Sequence, residues 1–157
     1  MTTRLLLVET EKVQDVWSEA RPLIEKALAY DYLGNMTSTD ALRLILNEHQ
    51  QLWVGIDDNI SIAILTEMVH FPKNKVLRII SAATKTGHDG DNWYHHHLAD
   101  LEEFAVACGC SALEAWARKG LAAKLNWEHK YAVITKAITP NKPKQPRKRR
   151  RRTKTNG

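Results

Sequence analysis

The chain has 157 residues, 43% of them hydrophobic, which suits one globular domain with a sizeable core and leaves little room for a second. Its formal charge of +5 is an end effect: nine of the 23 basic residues lie between Lys142 and Lys154, where no acidic residue occurs, leaving 14 basic against 18 acidic residues elsewhere. No apolar run approaches the roughly 18 residues of a membrane span, and the apolar start at Leu5 is far too short for a signal peptide, so a soluble, non-exported protein is expected.

In chain order, Leu5 to Val8 reads as a short buried strand. Thr10 opens a helix in which Val13, Val16, Trp17, Ala20, Leu23, Ile24, Ala27 and Leu28 recur at helical spacing, and Pro22 is expected to kink or split it. Tyr30 to Met36 is a loop, and Ser38 is expected to cap a second helix, Thr39 to Gln50. Strands follow at Leu52 to Ile56 and Ile60 to Val69, joined by the hairpin turn Asp57-Asp58-Asn59, and a third runs from Val76 to Ala83. After the polar loop Thr84 to Gly90, Asp91 is expected to cap a helix, Asn92 to Cys108, with a buried stripe of Tyr94, Leu98, Leu101, Ala105 and Cys108. A strand (Ser111 to Ala117), a short helix (Gly120 to Leu125) and a last strand (Tyr131 to Ile138) complete the body.

Beyond that point, prolines at 140, 143 and 146 and the arginine run mark a disordered tail, giving a domain over 1–139 and a tail over 140–157. The element order β-α-α-β-β-β-α-β-α-β predicts an α/β (α+β) fold: a mixed, mostly antiparallel sheet with helices on both faces.

Cys108 and Cys110 lie too close for an easy disulfide, and two thiols alone do not build a zinc site, so reduced, buried cysteines are expected. His95, His96 and His97 point about 100° apart on a helix and cannot share one ion, so they read as a polar helix face and no metal site is assigned. Trp53, Trp93, Trp116 and Trp127 read as packing residues. Arg147, Lys148, Arg149, Arg150, Arg151 and Arg152 form a polyanion-binding run that would act by counterion release, without sequence readout. No aromatic residue accompanies them to stack on bases.

The element order, together with Leu77-Arg78-Ile79-Ile80-Ser81, Trp93, Leu101, Phe104-Ala105, Gly109-Cys110, Leu113-Glu114, Arg118-Lys119-Gly120-Leu121 and Leu125, resembles the GCN5-related N-acetyltransferase (GNAT) fold over about residues 4 to 138. More narrowly, it resembles small GNAT-like proteins of tailed bacteriophages, particularly short-tailed ones. The resemblance implies acetyl-CoA as cofactor in an active member, with its pyrophosphate on backbone N–H groups at the start of the long helix. The family pattern there is Gln/Arg-x-x-Gly-x-Gly/Ala. This chain has Lys85, Gly87 and Gly90 at different spacing, and Asp89 and Asp91 bring negative charge to the phosphate position.

The resemblance further implies a tyrosine acid in the short helix, where this chain has Ala122, leaving Tyr131 as the substitute. Glu67, or else His70, is the candidate general base. With both losses, the resemblance implies weak or no catalysis and no resident cofactor. The expected role is a virion-associated or assembly accessory, located in the virion and the host cytoplasm, whose tail contacts DNA or a virion protein. The alternatives are an active acyl-CoA-dependent N-acetyltransferase acting on a host or phage amine, and a non-specific nucleic-acid-binding module.

Overall fold

A computed structural model describes residues 4–29, 36–85, 93–115, 121–130, 132, 134–136 and 138, with backbone alone for 93–96 and 121. The chain divides into two compact units, Met1–Leu121 and Ala122–Gly157. The first contains β1 (Leu5–Leu7), a 3-10 turn (Thr10–Lys12), α1 (Val13–Leu28), α2 (Ser38–Leu46), β2 (Gln51–Asp57), β3 (Asn59–His70), β4 (Lys75–Thr84), α3 (Trp93–Ala107) and β5 (Ala112–Ala115). The five strands lie in sequence order, antiparallel except for the parallel pair β4–β5. This is the expected mixed sheet.

The period of two along β2 sorts its side chains between two cores. Leu52 and Val54 join Ala63, Leu65 and Ala83 against Val13, Ala20, Leu23, Ile24, Ala41 and Ile45 of α1 and α2. Trp53 and Gly55 face the other way, toward α3: the Trp53 and Phe104 rings meet edge to face at 5.0 Å, and the His97 ring closes over Gly55. Helices therefore cover both faces of the sheet. Within β3, the run Ile62–Thr66 is buried throughout, as a strand sandwiched between two helical layers must be.

Local signals explain most boundaries and correct several expectations. The cap of α2 is Thr37, not Ser38. Thr37 Oγ1 accepts from Asp40 N (3.2 Å) while Thr37 N donates to Asp40 Oδ2 (3.0 Å), a reciprocal capping box that holds the Asp40 carboxyl below its usual range, first through the backbone bond. Helix α2 stops at Leu46 rather than Gln50, because Glu48 adopts φ 61° and the chain turns left-handed. Pro22 does not split α1: it lies on the exposed side of the helix, while Ala20, Leu23 and Ile24 on the other side anchor both halves to the core.

The buried stripe of α3 is also rotated from the expected one. His97, Leu101 and Ala105 are buried, Leu98 and Cys108 only half-buried, and the Tyr94 side chain lies outside the described residues. His97 thus belongs to the core side of the helix, not to a polar face.

Asp58 at the β2–β3 turn has φ 69°, which an aspartate tolerates, and Asp57 and Asn59 pair across it as the turn signal predicts. At the sheet's free edge, Asp100 Oδ2 accepts the outward N–H of Leu5 (3.1 Å) and Oδ1 meets Arg4 (3.4 Å), tying β1 to α3 and blunting the edge.

The second unit carries α4 (Leu121–Leu125 begins at its boundary), closed by Asn126 at φ 61°. The last strand expected over Tyr131 to Ile138 is not formed among its described residues: Ala132, Ile134, Thr135, Lys136 and Ile138 are exposed and outside the sheet. Alternating apolar residues define a strand only when a neighbour supplies the ladder, which is why patterning overreached here. The tail over 140–157 lies outside the described residues.

Gly55 marks the tightest point between the sheet and α3. A Cβ there would lie 2.5 Å from Ile62 Cγ2 and 3.6 Å from the His97 ring, with both neighbours fixed in the core. Gly55→Ala is therefore expected to destabilise the domain by roughly 1–3 kcal/mol, the cost of overpacking, measured as a lowered urea midpoint with an unchanged m-value.

Candidate functional site

The sheet's register shifts at two places, between β2 and β3 near the Asp58 turn and, further from a turn, on β4. Leu65 pairs with Ser81 but Thr66 pairs with Ile79, so Ile80 is an extra residue, a β-bulge. Parallel pairing with β5 covers Val76 to Ile79, so the bulge begins where that ladder ends; beyond it, Ile80 to Thr84 have no strand partner on the β5 side among the described residues. A bulge at the end of a parallel pair re-aims the side chains around it and interrupts the main-chain ladder.

Next to the bulge, three charged residues stand in one row across three strands: Glu67 opposite Arg78 on β3–β4, and Arg78 opposite Glu114 on β4–β5. Arg78 Nε donates to Glu114 Oε1 at 2.5 Å, with side-chain exposures of 18% and 36%. Such a charge-assisted bond fixes both groups in a partly desolvated site, where it counts for more than a surface pair. Glu67 is half-buried beside them. This row turns the same way as the α1–α2 core, since Glu67 follows Ala63 and Leu65 at a period of two.

The other face carries a buried relay. Trp53 Nε1 donates to Thr66 Oγ1 (2.9 Å), and Thr66 Oγ1 donates to Gln51 Oε1 (2.8 Å), so the Trp53 and Thr66 donors are both satisfied within the sheet.

Glu67 and Lys85 fall at opposite ends of the central strands. Thr84 pairs with Ile62, five residues from Glu67, or about 17 Å at strand spacing. Lys85 is exposed and its N–H donates to Ser61 O (2.8 Å), while Lys26 Nζ of α1 holds Thr84 O (2.8 Å), so the end of β4 is fixed from two sides. Gly87, Gly90, Asp89, Asp91, Arg118, Lys119 and Tyr131 lie outside the described residues, as do Arg147, Lys148, Arg149, Arg150, Arg151 and Arg152. His70 is exposed at the far end of the β3–β4 hairpin, opposite Lys75 and away from the bulge. Ala122 lies in α4 and offers no ionisable group.

The residues that sequence reasoning missed are Arg78 and Glu114. Both fall within the stretches that carry the family resemblance, yet their meeting depends on the β4–β5 register, which no local pattern encodes.

A shallow concavity, of about 440 Å3, opens between the end of α1 and the start of α2, lined by Arg21, Glu25, Leu28, Met36 and Ser38 among others. Glu25 Oε2 accepts from Ser38 Oγ (2.7 Å) and from Arg21 Nε (2.9 Å). The serine bond first, then the arginine, holds the Glu25 carboxyl below its ordinary range, and the resulting anion sits at the positive end of α2. A site already carrying both charges internally is neutral toward a ligand.

No family model matches the sequence, and no curated protein is significantly similar to it. The fold, by contrast, is widely shared. A GNAT family acetyltransferase from Staphylococcus aureus superposes with a TM-score of 0.62 at 19% identity, over 88% of this chain and 100% of that one. The ribosomal-protein-alanine N-acetyltransferase of Brucella melitensis gives 0.63 at 12% identity, over 85% and 99%. An aminoglycoside acetyltransferase from an uncultured soil metagenomic sample, in complex with sisomicin, gives 0.64 at 11% identity, over 86% and 95%. The chain has the fold of the GNAT acetyltransferases.

The Glu25 bridge carries a pH signature. Because its folded pKa is depressed, its contribution to stability is fully present above the unfolded value near 4.5 and is lost as pH falls through the folded value. The stability difference between wild type and Glu25→Gln is expected to hold constant from neutral pH down to about 5 and then shrink, as read by urea titrations at a series of pH values.

Proposed function

We propose that this chain uses a GNAT fold with weak or no acyl transfer, and that it works as a virion-associated or assembly accessory protein of a tailed phage. The observation that carries the loss of catalysis is Ala122: where the fold's enzymes place a tyrosine to reprotonate the leaving thiolate, α4 has a methyl group. The two aspartates flanking Gly90 add to it, because carboxylates repel the phosphates that the start of the long helix would otherwise attract. The phage assignment rests on the residue patterns from Trp93 to Leu125. The run Arg147 to Arg152 supplies the contact, holding DNA or an acidic virion surface electrostatically while the acidic body stays clear of it.

A specific observation favours the second reading, an active N-acyltransferase. The β4 bulge, with Glu67 and the Arg78-held Glu114 beside it, places carboxylates that could take a proton from an attacking amine next to main-chain groups that could hold an extended thioester. The separation of about 17 Å between this row and the end of β4 suits a long ligand lying along the strand rather than a compact one. Amine acceptors, as the names of the alanine and aminoglycoside enzymes indicate for those proteins, would then be the substrate class.

Calorimetric titration separates the two. Under the leading reading, acetyl-CoA and CoA give no saturable heat at micromolar concentration; micromolar binding would refute the loss of the CoA site and favour the second reading, which then requires acetyl transfer to an amine to be detected. The tail is tested by cutting the chain at Thr139: duplex DNA binding at moderate salt is expected to disappear with residues 140–157. Retention of DNA by the truncated body would transfer the polyanion site to the fold.

A further inference from the structure

Where the β2–β3 ladder ends, two acceptors stand without donors. Gln50 comes one residue before the Gln51–Thr66 pair and Glu67 one residue after it, so they adjoin across the two strands. Gln50 N donates to Leu44 O (3.2 Å), which ties the residue to the last turn of α2. The residue is only 5% exposed, and its Oε1 is buried with no hydrogen-bond partner among the described residues. Glu67 is half-buried, and among the described residues its carboxylate makes no hydrogen bond or ion pair: Arg78, directly opposite it, gives its Nε–H to Glu114 instead. Leu52 and Val54 turn into the α1–α2 core, and the period of two, continued by one step, carries Gln50 to that side of the sheet, where Glu67 also lies.

We propose that Gln50 is a binding residue, whose Oε1 joins the Glu67 carboxylate in receiving a primary ammonium group. An amide oxygen buried without a donor is costly to a fold, and native proteins keep such a group where water or a ligand answers it. Both members of this pair are acceptors, so their partner has to be a donor. Neighbouring strands lie about 4.8 Å apart, a span that one nitrogen making N–H···O bonds of about 2.9 Å bridges at a tetrahedral angle. An ammonium brings three such N–H groups together with a charge opposite to that of Glu67. A trapped water would satisfy Gln50 but leave the charge of Glu67 unanswered. Such a site rests on the amine-acceptor reading above for its place in a reaction, while binding itself needs no acyl transfer.

A binding role and a structural role for Gln50 make opposite demands on stability. If the amide held the fold together, leucine, which is similar in volume, would destabilise the domain in its place. An acceptor that has no donor in the free protein loses nothing on replacement, because its burial was unfavourable from the start. Gln50→Leu is therefore expected to leave the urea midpoint unchanged or raised while weakening the ligand.

The test follows the side-chain NH2 resonances of Gln50 by NMR in the full, isotope-labelled chain, identified by their loss in Gln50→Leu, during titration with n-butylammonium chloride. A saturable shift is expected. Tetramethylammonium chloride at equal ionic strength, which carries the charge without an N–H, is expected to produce none. Gln50→Leu and Glu67→Gln, read through the backbone amide of residue 67, are each expected to weaken n-butylammonium about tenfold. Lysine acetylated at its amine terminus and amidated at its carboxyl separates the sources: tighter than butylammonium if the natural ligand is a protein side chain, weaker if it is a small alkylamine. If the Gln50 resonances stay still, if tetramethylammonium moves them equally, if Gln50→Leu lowers the urea midpoint, or if either variant binds as tightly as wild type, the site is refuted. Ammonium binding with no detectable acetyl transfer would refute the second reading and leave this site standing.

Discussion

The single extra residue in β4 determines which way half the sheet faces. Because side chains alternate along a strand, an inserted residue reverses every side chain on one side of it relative to the other. With Ile80 in place, Ala83 packs on the α1–α2 core, Leu77 and Ile79 turn toward α3, and Arg78 joins Glu67 and Glu114 on the α1–α2 face. Without it, the lower half of β4 would present Arg78 to the α3 core and Leu77 to the opposite face. Burying an uncompensated guanidinium costs far more than a misplaced leucine, so the bulge and the charged row require each other.

The same alternation turns the Trp53 indole into the α3 face, where its N–H is answered within the sheet. Trp53 is large enough to fill the space beneath β2 and β3, but its N–H must find an acceptor once water is excluded. Thr66 meets that need and passes its own hydrogen to Gln51, the residue directly opposite it in the register. Gly55 serves the same interface by omission, allowing Ile62 and His97 to occupy the space a side chain would have taken. The two cores therefore differ in kind: an apolar one under α1 and α2, and a mixed one under α3 in which one hydrogen-bond chain and one ring contact set the packing.

How much of this the sequence revealed follows from how local each determinant is. The β2–β3 hairpin was legible because Asp57-Asp58-Asn59 is a turn signal between two apolar runs, and α1 was legible because eight apolar residues recur at helical spacing. Thr37 and Asp40 form a capping box three residues apart, so the true start of α2 was available to reading too, though Ser38 beside it competed; its hydroxyl went instead to Glu25, across the helix pair. Ile80, Gly55 and Glu114 are different. Each acquires its meaning from a residue on another strand or helix, and registers of that kind are set by the assembled sheet. Of the site residues read from sequence, Glu67 lies in the charged row by the bulge and Lys85 at the far end of β4.

A fold can persist while its chemistry changes, because the two draw on different residues. The buried residues that hold β2, β3 and β4 between the helices, such as Leu52, Ile64, Leu65 and Leu77, are aliphatic and take no part in proton transfer. A scaffold of this kind can exchange a tyrosine for an alanine, or glycines for aspartates at a helix start, without disturbing the packing that defines it. Arg78 is the exception, since it belongs to both systems: its guanidinium closes the polar row on the sheet and fixes a carboxylate beside the bulge. Apolar side chains in place of that partly buried ion pair would hold the sheet about as well, since such pairs seldom stabilise a fold beyond what apolar packing supplies. What the Arg78–Glu114 pair supplies beside the bulge is therefore orientation rather than stability: it holds the Glu114 carboxylate in one place on the sheet.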